Sequence, residues 1–274
     1  MTVNSMQGVG PVVLIGAGKM GLALARGWID AGLPPAELVL VDPNPSDATR
    51  GFAADAGVRL LDSPRGILVA VMVLAVKPQV MTSVLEELKP LIGRHTLVIS
   101  IAAGISIGTI ANGLDTQRVI RTMPNTPAQV GKGITGAVPG LGVSETDRDL
   151  ADVLLGAAGD VVWFGEERML DAVTAVSGSG PAYVFHFVEA LAAAGVRQGF
   201  DPEQAMHLAR QTVIGAAALM EADPTAVAIL RQNVTSPKGT TEAALGVLMA
   251  PSGLTNLMEK TVMAAKLRSE ELGR

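Results

Sequence analysis

With 274 residues, 49% of them hydrophobic, the chain carries apolar material for one large core or two medium ones, and two domains are expected. A formal net charge of −5 and a pI near 5.3 argue against a nucleic-acid partner, whose phosphates would require a basic face. The absence of cysteine removes disulfides, thiolate metal sites and thiol nucleophiles. Mean hydropathy is high, at +0.39, but the longest apolar run, Ile67 to Val76, is closed by Arg65 and Lys77. That is about half the ~20 residues a membrane-spanning helix needs, and it suits a strand buried on both faces. His95, His186 and His207 are well separated and form no ligand motif, so no metal site is expected. The first ten residues carry no Lys or Arg, and the apolar stretch after them is needed for the first strand. We therefore expect no secretory signal, no membrane partner and a cytoplasmic location.

The first element is the apolar run Pro11-Val-Val-Leu-Ile15, which breaks into Gly16-Ala17-Gly18-Lys19-Met20-Gly21 and resumes as an Ala/Leu-rich helix. This order reads as strand, tight turn and helix N-terminus. Gly16 then makes the turn, Gly18 lets backbone amides approach a pyrophosphate, and Gly21 lets the helix pack closely on the strand, with the helix dipole facing the phosphates. A lone GxGxxG is a weak signal. Here a strand-like run precedes it, a helical run follows, and Val39-Leu-Val-Asp42 forms a second strand ending in an acid, so the turn predicts a bound dinucleotide.

The helix from Lys19 to Ala31 is stopped by Gly32 and Pro34-Pro35. Glu37–Asp42 is the next strand, Pro43–Ser46 a turn, and Asp47–Ala56 a helix ended by Gly57. Strands over 58–61 and 67–76, a helix over 79–91 and strands over 96–101 and 118–122 follow, and 133–138 and 160–164 are the last strand candidates. The alternation predicts a doubly wound parallel sheet of the α/β class, over residues 1–165. Ligands of such sheets lie beyond the carboxyl ends of the strands, where this chain places Ala75-Val76-Lys77-Pro78, Ala102-Ala103-Gly104 and Arg121-Thr-Met-Pro-Asn125-Thr-Pro127. Small residues and prolines there let backbone approach a flat ring and hold the loops still.

Beyond Arg168 nearly everything reads as helix, so residues 166–274 form an all-helical second domain. Ser177-Gly-Ser-Gly180 ends one helix and Pro181 opens the next, which runs to Arg197 with almost no polar face. A helix apolar all round must be surrounded, and the remaining residues are few for that task, so a second subunit is expected to help bury it. Asp201 with Gln204 predicts a capping box for a helix reaching Glu221, and Asp223-Pro224 opens another to Gln232. A short helix to Met249 and a final one over 252–272 complete the chain. Between them Asn233-Val-Thr-Ser236-Pro-Lys-Gly239-Thr240-Thr241 is the one polar, turn-prone break. Its hydroxyls, amide and helix-terminal N–H groups suit a small carboxylate.

The glycine turn with Met20, Ala75-Val-Lys-Pro-Gln79, Pro124-Asn-Thr-Pro127, Ser177-Gly-Ser-Gly-Pro-Ala-Tyr183 and Thr235-Ser-Pro-x-Gly-Thr-Thr241 together resemble the pyrroline-5-carboxylate reductases, in this order and at about these spacings. The resemblance implies reduction of Δ1-pyrroline-5-carboxylate to L-proline by NADPH or NADH, the last step of proline synthesis. It implies an N-terminal Rossmann domain and a helical C-terminal domain interlocked with that of a second copy, in dimers that assemble further in many members of the family. Carried over by position, Ile15, Gly16, Ala17, Gly18, Lys19 and Met20 hold the pyrophosphate, while Ala75, Val76, Lys77, Pro78, Ile101, Ala102 and Ala103 line the nicotinamide side. Asn233, Ser236, Gly239, Thr240 and Thr241 hold the substrate, with Glu167 a neighbour, and Thr241 orients the ring nitrogen.

A cyclic imine is basic enough to be protonated before or during hydride transfer, so catalysis can rest mainly on proximity, without a strong protein acid. Two positions depart from the family pattern. Lys238 stands where a second glycine is usual. Asp42, 21 residues beyond Gly21, suits the ribose 2′-OH of NAD and repels a 2′-phosphate, which leans the expectation to NADH, although Asn44, Ser46 and Arg50 could bind a phosphate. The rival readings are another Rossmann imine or β-hydroxyacid reductase and a non-catalytic dinucleotide-binding regulator. Hydroxyacid enzymes generally place a catalytic lysine on the long helix after the domain junction, and Pro181–Gly199 contains none.

Overall fold

The computed structural model describes Met6 and residues 8–273. Contacts divide the chain into two compact units, one running to Gly178 and taking in the segment from Lys266, the other Ser179–Ala265. In the first unit β1 (Val12–Ile15), α1 (Lys19–Asp30), β2 (Leu38–Val41), α2 (Asp47–Ala56), β3 (Arg59–Leu61), β4 (Val71–Leu74) and α3 (Met81–Leu88) come first. They are followed by β5 (Leu97–Ser100), α4 (Ile107–Leu114), β6 (Val119–Met123), β7 (Gly133–Pro139), α5 (Glu145–Gly156), β8 (Gly159–Trp163) and α6 (Met169–Val173).

The strands form one sheet in the order β3-β2-β1-β4-β5-β6-β7-β8. Every neighbouring pair is parallel except β6 and β7, which pair antiparallel. The fully parallel expectation fails at this one joint because Pro124–Lys132 is shorter than the dozen or so residues a crossover needs. Each residue of β1, β2, β4 and β5 is buried. Their side chains alternate between two cores. Val12 and Leu14 join Leu24, Trp28 and Leu154 on one face, and Val13 and Ile15 join Leu85 and Ile110 on the other. Helices α1 and α5 thus cover one face, and α3 and α4 the other. Trp28, fully buried, donates its Nε1–H to the Leu154 carbonyl at 2.7 Å and pins α1 to α5.

The structure differs from the expected elements in several places. The strand expected over 67–76 is only Val71–Leu74; Leu68 is 85% exposed, while Ile67 and Val69 are partly buried against the core without joining the sheet. Helices α4 and α5 were not foreseen. The former contains Gly108, Asn112 and Gly113, poor helix formers, whereas Ser144 and Asp147 close a capping box on α5 that the sequence spells out. Between α6 and the next helix the chain makes a π-helical turn, Thr174–Gly178.

The second unit holds α7 (Gly180–Arg197), α8 (Pro202–Ala222), α9 (Val227–Asn233), α10 (Thr240–Leu248) and most of α11 (Leu254–Leu272). Asp201 caps α8 by accepting from the N–H groups of Glu203 and Gln204, both at 3.0 Å, but Gln204 does not reciprocate, so the predicted box is half formed. Asp223 instead accepts from Thr225 N–H at 2.9 Å, and α9 begins only at Val227. The fully buried apolar core of this unit is three alanines, Ala192, Ala205 and Ala209, with Val188 against them. Phe185 is 65% exposed and Ile214 50% in the single chain. Among the described residues no helix is long and apolar enough to cross a membrane.

In the first unit Arg118 and Asp147 tie the start of β6 to α5. The Asp147 carboxylate, 4% exposed, meets Arg118 Nη2 through Oδ1, while Oδ2 accepts from Arg118 Nε at 3.3 Å and from Ser144 N–H at 2.9 Å. Burial alone would raise its pKa, but the Arg118 and Ser144 hydrogen bonds and the Arg118 charge together outweigh burial and hold it below the ordinary aspartate value. Its stabilisation is therefore present above the unfolded carboxylate value and is lost as pH falls through the lower folded value. We expect Asp147→Asn to cost about 2 kcal/mol at pH 7, with the difference from wild type shrinking towards pH 3. Urea unfolding at the two pH values measures it.

Candidate active site

The turn between β1 and α1 is built on close backbone contact. Gly16 has φ +89°, and a Cβ there would lie 2.8 Å from the Ala75 carbonyl oxygen. A Cβ on Gly21 would lie 2.4 Å from the Gly16 carbonyl oxygen. Gly16 N–H donates to Val41 O at 2.8 Å and Ala75 N–H to Ile15 O at 2.8 Å, so the turn is locked to the ends of β2 and β4. Gly18 differs from the other two. It is the N-cap of α1, exposed, and nothing lies within 4 Å of where its Cβ would be. The structure thus leaves bare backbone beside the first-turn amides of α1, which include those of Lys19 and Met20 and have no carbonyl four residues back. A pyrophosphate fits that cradle.

At the end of β2, Asp42 is half-buried with both oxygens engaged. Oδ2 accepts from Ala17 N–H and Oδ1 from Asn44 N–H, each at 2.9 Å. Thr49, fully buried on α2, donates its hydroxyl to the Ala17 carbonyl at 2.8 Å. Ser46, the N-cap of α2, accepts from Thr49 N–H at 3.2 Å, and the two hydroxyls are 2.9 Å apart. Asn44 and Arg50 are exposed. The sequence reading missed Thr49, although the spacing Ser46-x-x-Thr49 marks a helix start.

Ala75 and Val76 lie directly against Gly16, while Lys77 and Pro78 are exposed at the same edge. Ile101 N–H donates to Leu74 O at 3.0 Å, which sets the Ile101-Ala102-Ala103 loop beside the end of β4. All the predicted cofactor-side loops are therefore brought together at one edge of the sheet. Farther along, Glu167 Oε1 accepts from Arg121 Nη1 at 2.7 Å and from Ile107 N–H at 2.8 Å, capping α4 from a distance. Arg121, its ion-pair partner on β6, enters the sequence analysis only as part of a loop. Asn125 is buried and bridges Ile134 N–H (3.0 Å) to the Ser177 carbonyl (3.1 Å), anchoring the π-helical turn.

The other predicted substrate residues belong to the second unit, so Glu167 falls in a different unit from them. Asn233 ends α9. Ser236 to Gly239 form a β-turn closed by Gly239 N–H to Ser236 O at 3.0 Å, with Pro237 and Lys238 at its corners. Lys238 has φ +61°, the left-handed conformation that explains the usual glycine, and its N–H donates to Glu242 Oε2 at 2.6 Å. Gly239 is the N-cap of α10 and has no side chain to occupy the helix end. A Cβ there would lie 2.3 Å from Ser236 Oγ. Thr240 and Thr241 are the first residues of α10, so hydroxyls and free amides gather at one helix N-terminus. A separate apolar cavity of about 290 Å³, lined by Ile134, Val162, Met169 and Val176 among others, carries no charged group.

A family model described as pyrroline-5-carboxylate reductase dimerisation matches residues 167–272, and one described as NADP oxidoreductase, coenzyme F420-dependent, matches residues 11–104. The chain is 38% identical to a pyrroline-5-carboxylate reductase of Arabidopsis thaliana, over 95% of both chains. It is 39% identical to that of Pseudomonas aeruginosa, over 95% of this chain and 96% of the relative. Among solved structures, a pyrroline-5-carboxylate reductase from Coxiella burnetii superposes with a TM-score of 0.91 at 36% identity, covering 97% of this chain and 99% of the other. A Plasmodium falciparum pyrroline carboxylate reductase solved with NADP bound superposes with a TM-score of 0.80 at 30% identity, covering 96% and 98%. With the glycine cradle in one unit and the hydroxyl-rich helix end in the other, matched along nearly the whole chain, this protein belongs to the pyrroline-5-carboxylate reductase family.

Proposed function

We propose that the chain reduces Δ1-pyrroline-5-carboxylate to L-proline with NAD(P)H, in the cytoplasm. The observation that carries this reading is the α10 N-terminus, where Gly239, Thr240 and Thr241 present free amides and hydroxyls to a small carboxylate in a chain that also builds a dinucleotide turn. When bound, the cofactor supplies a hydride from its nicotinamide to the imine carbon. The chain does the rest. The amides at the start of α1 hold the pyrophosphate, Ala75–Pro78 and Ile101–Ala103 border the nicotinamide, and Asn233, Ser236, Gly239 and Thr240 grip the carboxylate. Thr241 orients the ring nitrogen, which brings its own proton, so positioning supplies most of the rate and no metal is called for. Glu167 is kept as a substrate neighbour by resemblance alone, one of its oxygens being held by Arg121 and Ile107.

We read the working enzyme as a homodimer joined through its C-terminal helices, residues 166–274, with the dinucleotide domain in residues 1–165. The small alanine core and the exposed Phe185, Ile214 and Leu219 support a second copy as the missing cover. For the cofactor, the β2–α2 turn favours NADH. Asp42 and Asp47 place two negative charges there, and Ser46 has spent its only hydroxyl proton on Thr49, whose own goes to a carbonyl. Each Asp42 oxygen retains a lone pair for a ribose hydroxyl.

Thr241→Ala is expected to lower kcat/KM for pyrroline-5-carboxylate at least about tenfold with dinucleotide affinity kept, since it removes one oriented hydrogen bond. An unchanged rate would take Thr241 out of the mechanism. Steady-state kinetics should give a higher kcat/KM with NADH than with NADPH, and a strong NADPH preference would refute the Asp42 argument. A lysine in the left-handed region costs roughly 1–2 kcal/mol, and the Lys238 side chain is exposed. Lys238→Gly should therefore keep the substrate KM within about twofold and leave Tm equal or higher. A larger change in KM would show that the ammonium takes part in binding.

A further inference from the structure

We propose that Thr49 is a positioning residue for the dinucleotide, aiming the Gly18 amide from beneath the turn. This rests on the dinucleotide reading above. A peptide unit is planar and trans, so the Gly18 N–H points opposite to the carbonyl of Ala17. Thr49 Oγ1 donates to that carbonyl at 2.8 Å from a fully buried position, and on the other side Gly18 is exposed with open space around it. Fixing the carbonyl therefore fixes the amide. Thr49 touches no ligand and acts through the peptide.

The hydroxyl that does this is itself held. Its one proton goes to the carbonyl, which cannot donate, so the 2.9 Å contact with Ser46 must be a bond from Ser46 Oγ–H to Thr49 Oγ1. Ser46 in turn accepts from Thr49 N–H at 3.2 Å. On the near side Asp42 accepts from Ala17 N–H, so both polar groups of Ala17 are bound by residues of the β2–α2 segment. The turn that meets the pyrophosphate and the segment that meets the adenine ribose are thus one hydrogen-bonded piece. Changes made at one end reach the other, and a substitution of Asp42 aimed at cofactor preference would also loosen the phosphate turn.

Thr49→Val keeps the branched shape, removes the donor to the Ala17 carbonyl and removes the acceptor of the Ser46 O–H, while the residue-49 N–H bond to Ser46 Oγ remains. We expect KM and the binding constant for NADH and NADPH to rise about tenfold alike, with kcat and the KM for pyrroline-5-carboxylate within about twofold of wild type. Thr49→Ser, which keeps the hydroxyl, should stay within about twofold in every parameter. Binding is read from nicotinamide fluorescence. A Thr49→Val protein with lowered Tm but unchanged dinucleotide binding would reduce Thr49 to a structural role, as would equal rises in both substrates' KM. Wild-type protein that binds neither dinucleotide would overturn the dinucleotide reading itself. Should Thr49→Val not fold, Ser46→Ala removes the bond that orients the Thr49 hydroxyl and should raise the same KM about threefold, and no rise would overturn the proposal.

Discussion

The structure depends on how closely backbone meets backbone where β1 ends. With Gly16 pressed on the Ala75 carbonyl and Gly21 on that of Gly16, the first helix can start directly above the strand, its first-turn amides unfilled. Any side chain at either position would push helix and strand apart. The alternation of Val12 and Leu14 with Val13 and Ile15 gives the sheet two covered faces, which leaves only its carboxyl edge for chemistry. The loops after β1, β2, β4 and β5 converge there because the parallel strands all end at the same side.

Legibility in the sequence followed local physics. Strands with every residue buried read as unbroken apolar runs, and the glycine turn announced itself by its spacing. Ile67 to Ala70 misled because it is apolar without pairing in the sheet, a distinction only the tertiary structure makes. Asp223 looked like a helix cap and instead closes a turn of its own, since a short polar side chain serves both equally well. The antiparallel β7 could have been read from the short connection before it. The pairing of Glu167 with Arg121 and the bond from Thr49 to Ala17 join residues 46 and 32 positions apart, and no local pattern signals either.

The helical unit tells a complementary story. Its apolar surface exceeds what three buried alanines can account for, in keeping with a family model described by its dimerisation. Its one polar interruption ends in a helix N-terminus whose cap is glycine, so that no cap side chain bonds the first amides of α10. Lys238 shows how firmly that turn is specified. A lysine is held there in a conformation glycine adopts freely, and the turn hydrogen bond is still made. The turn after β1 and the start of α10 thus come from opposite devices, packed glycines in a sheet and a helix end capped by glycine.

The most direct test of this account is the stoichiometry of the reaction in purified protein. Incubated with Δ1-pyrroline-5-carboxylate and NADH, the enzyme should form one L-proline for each NADH oxidised, with no oxidation when the imine is left out. Dinucleotide binding without proline formation, or oxidation uncoupled from it, would contradict the account.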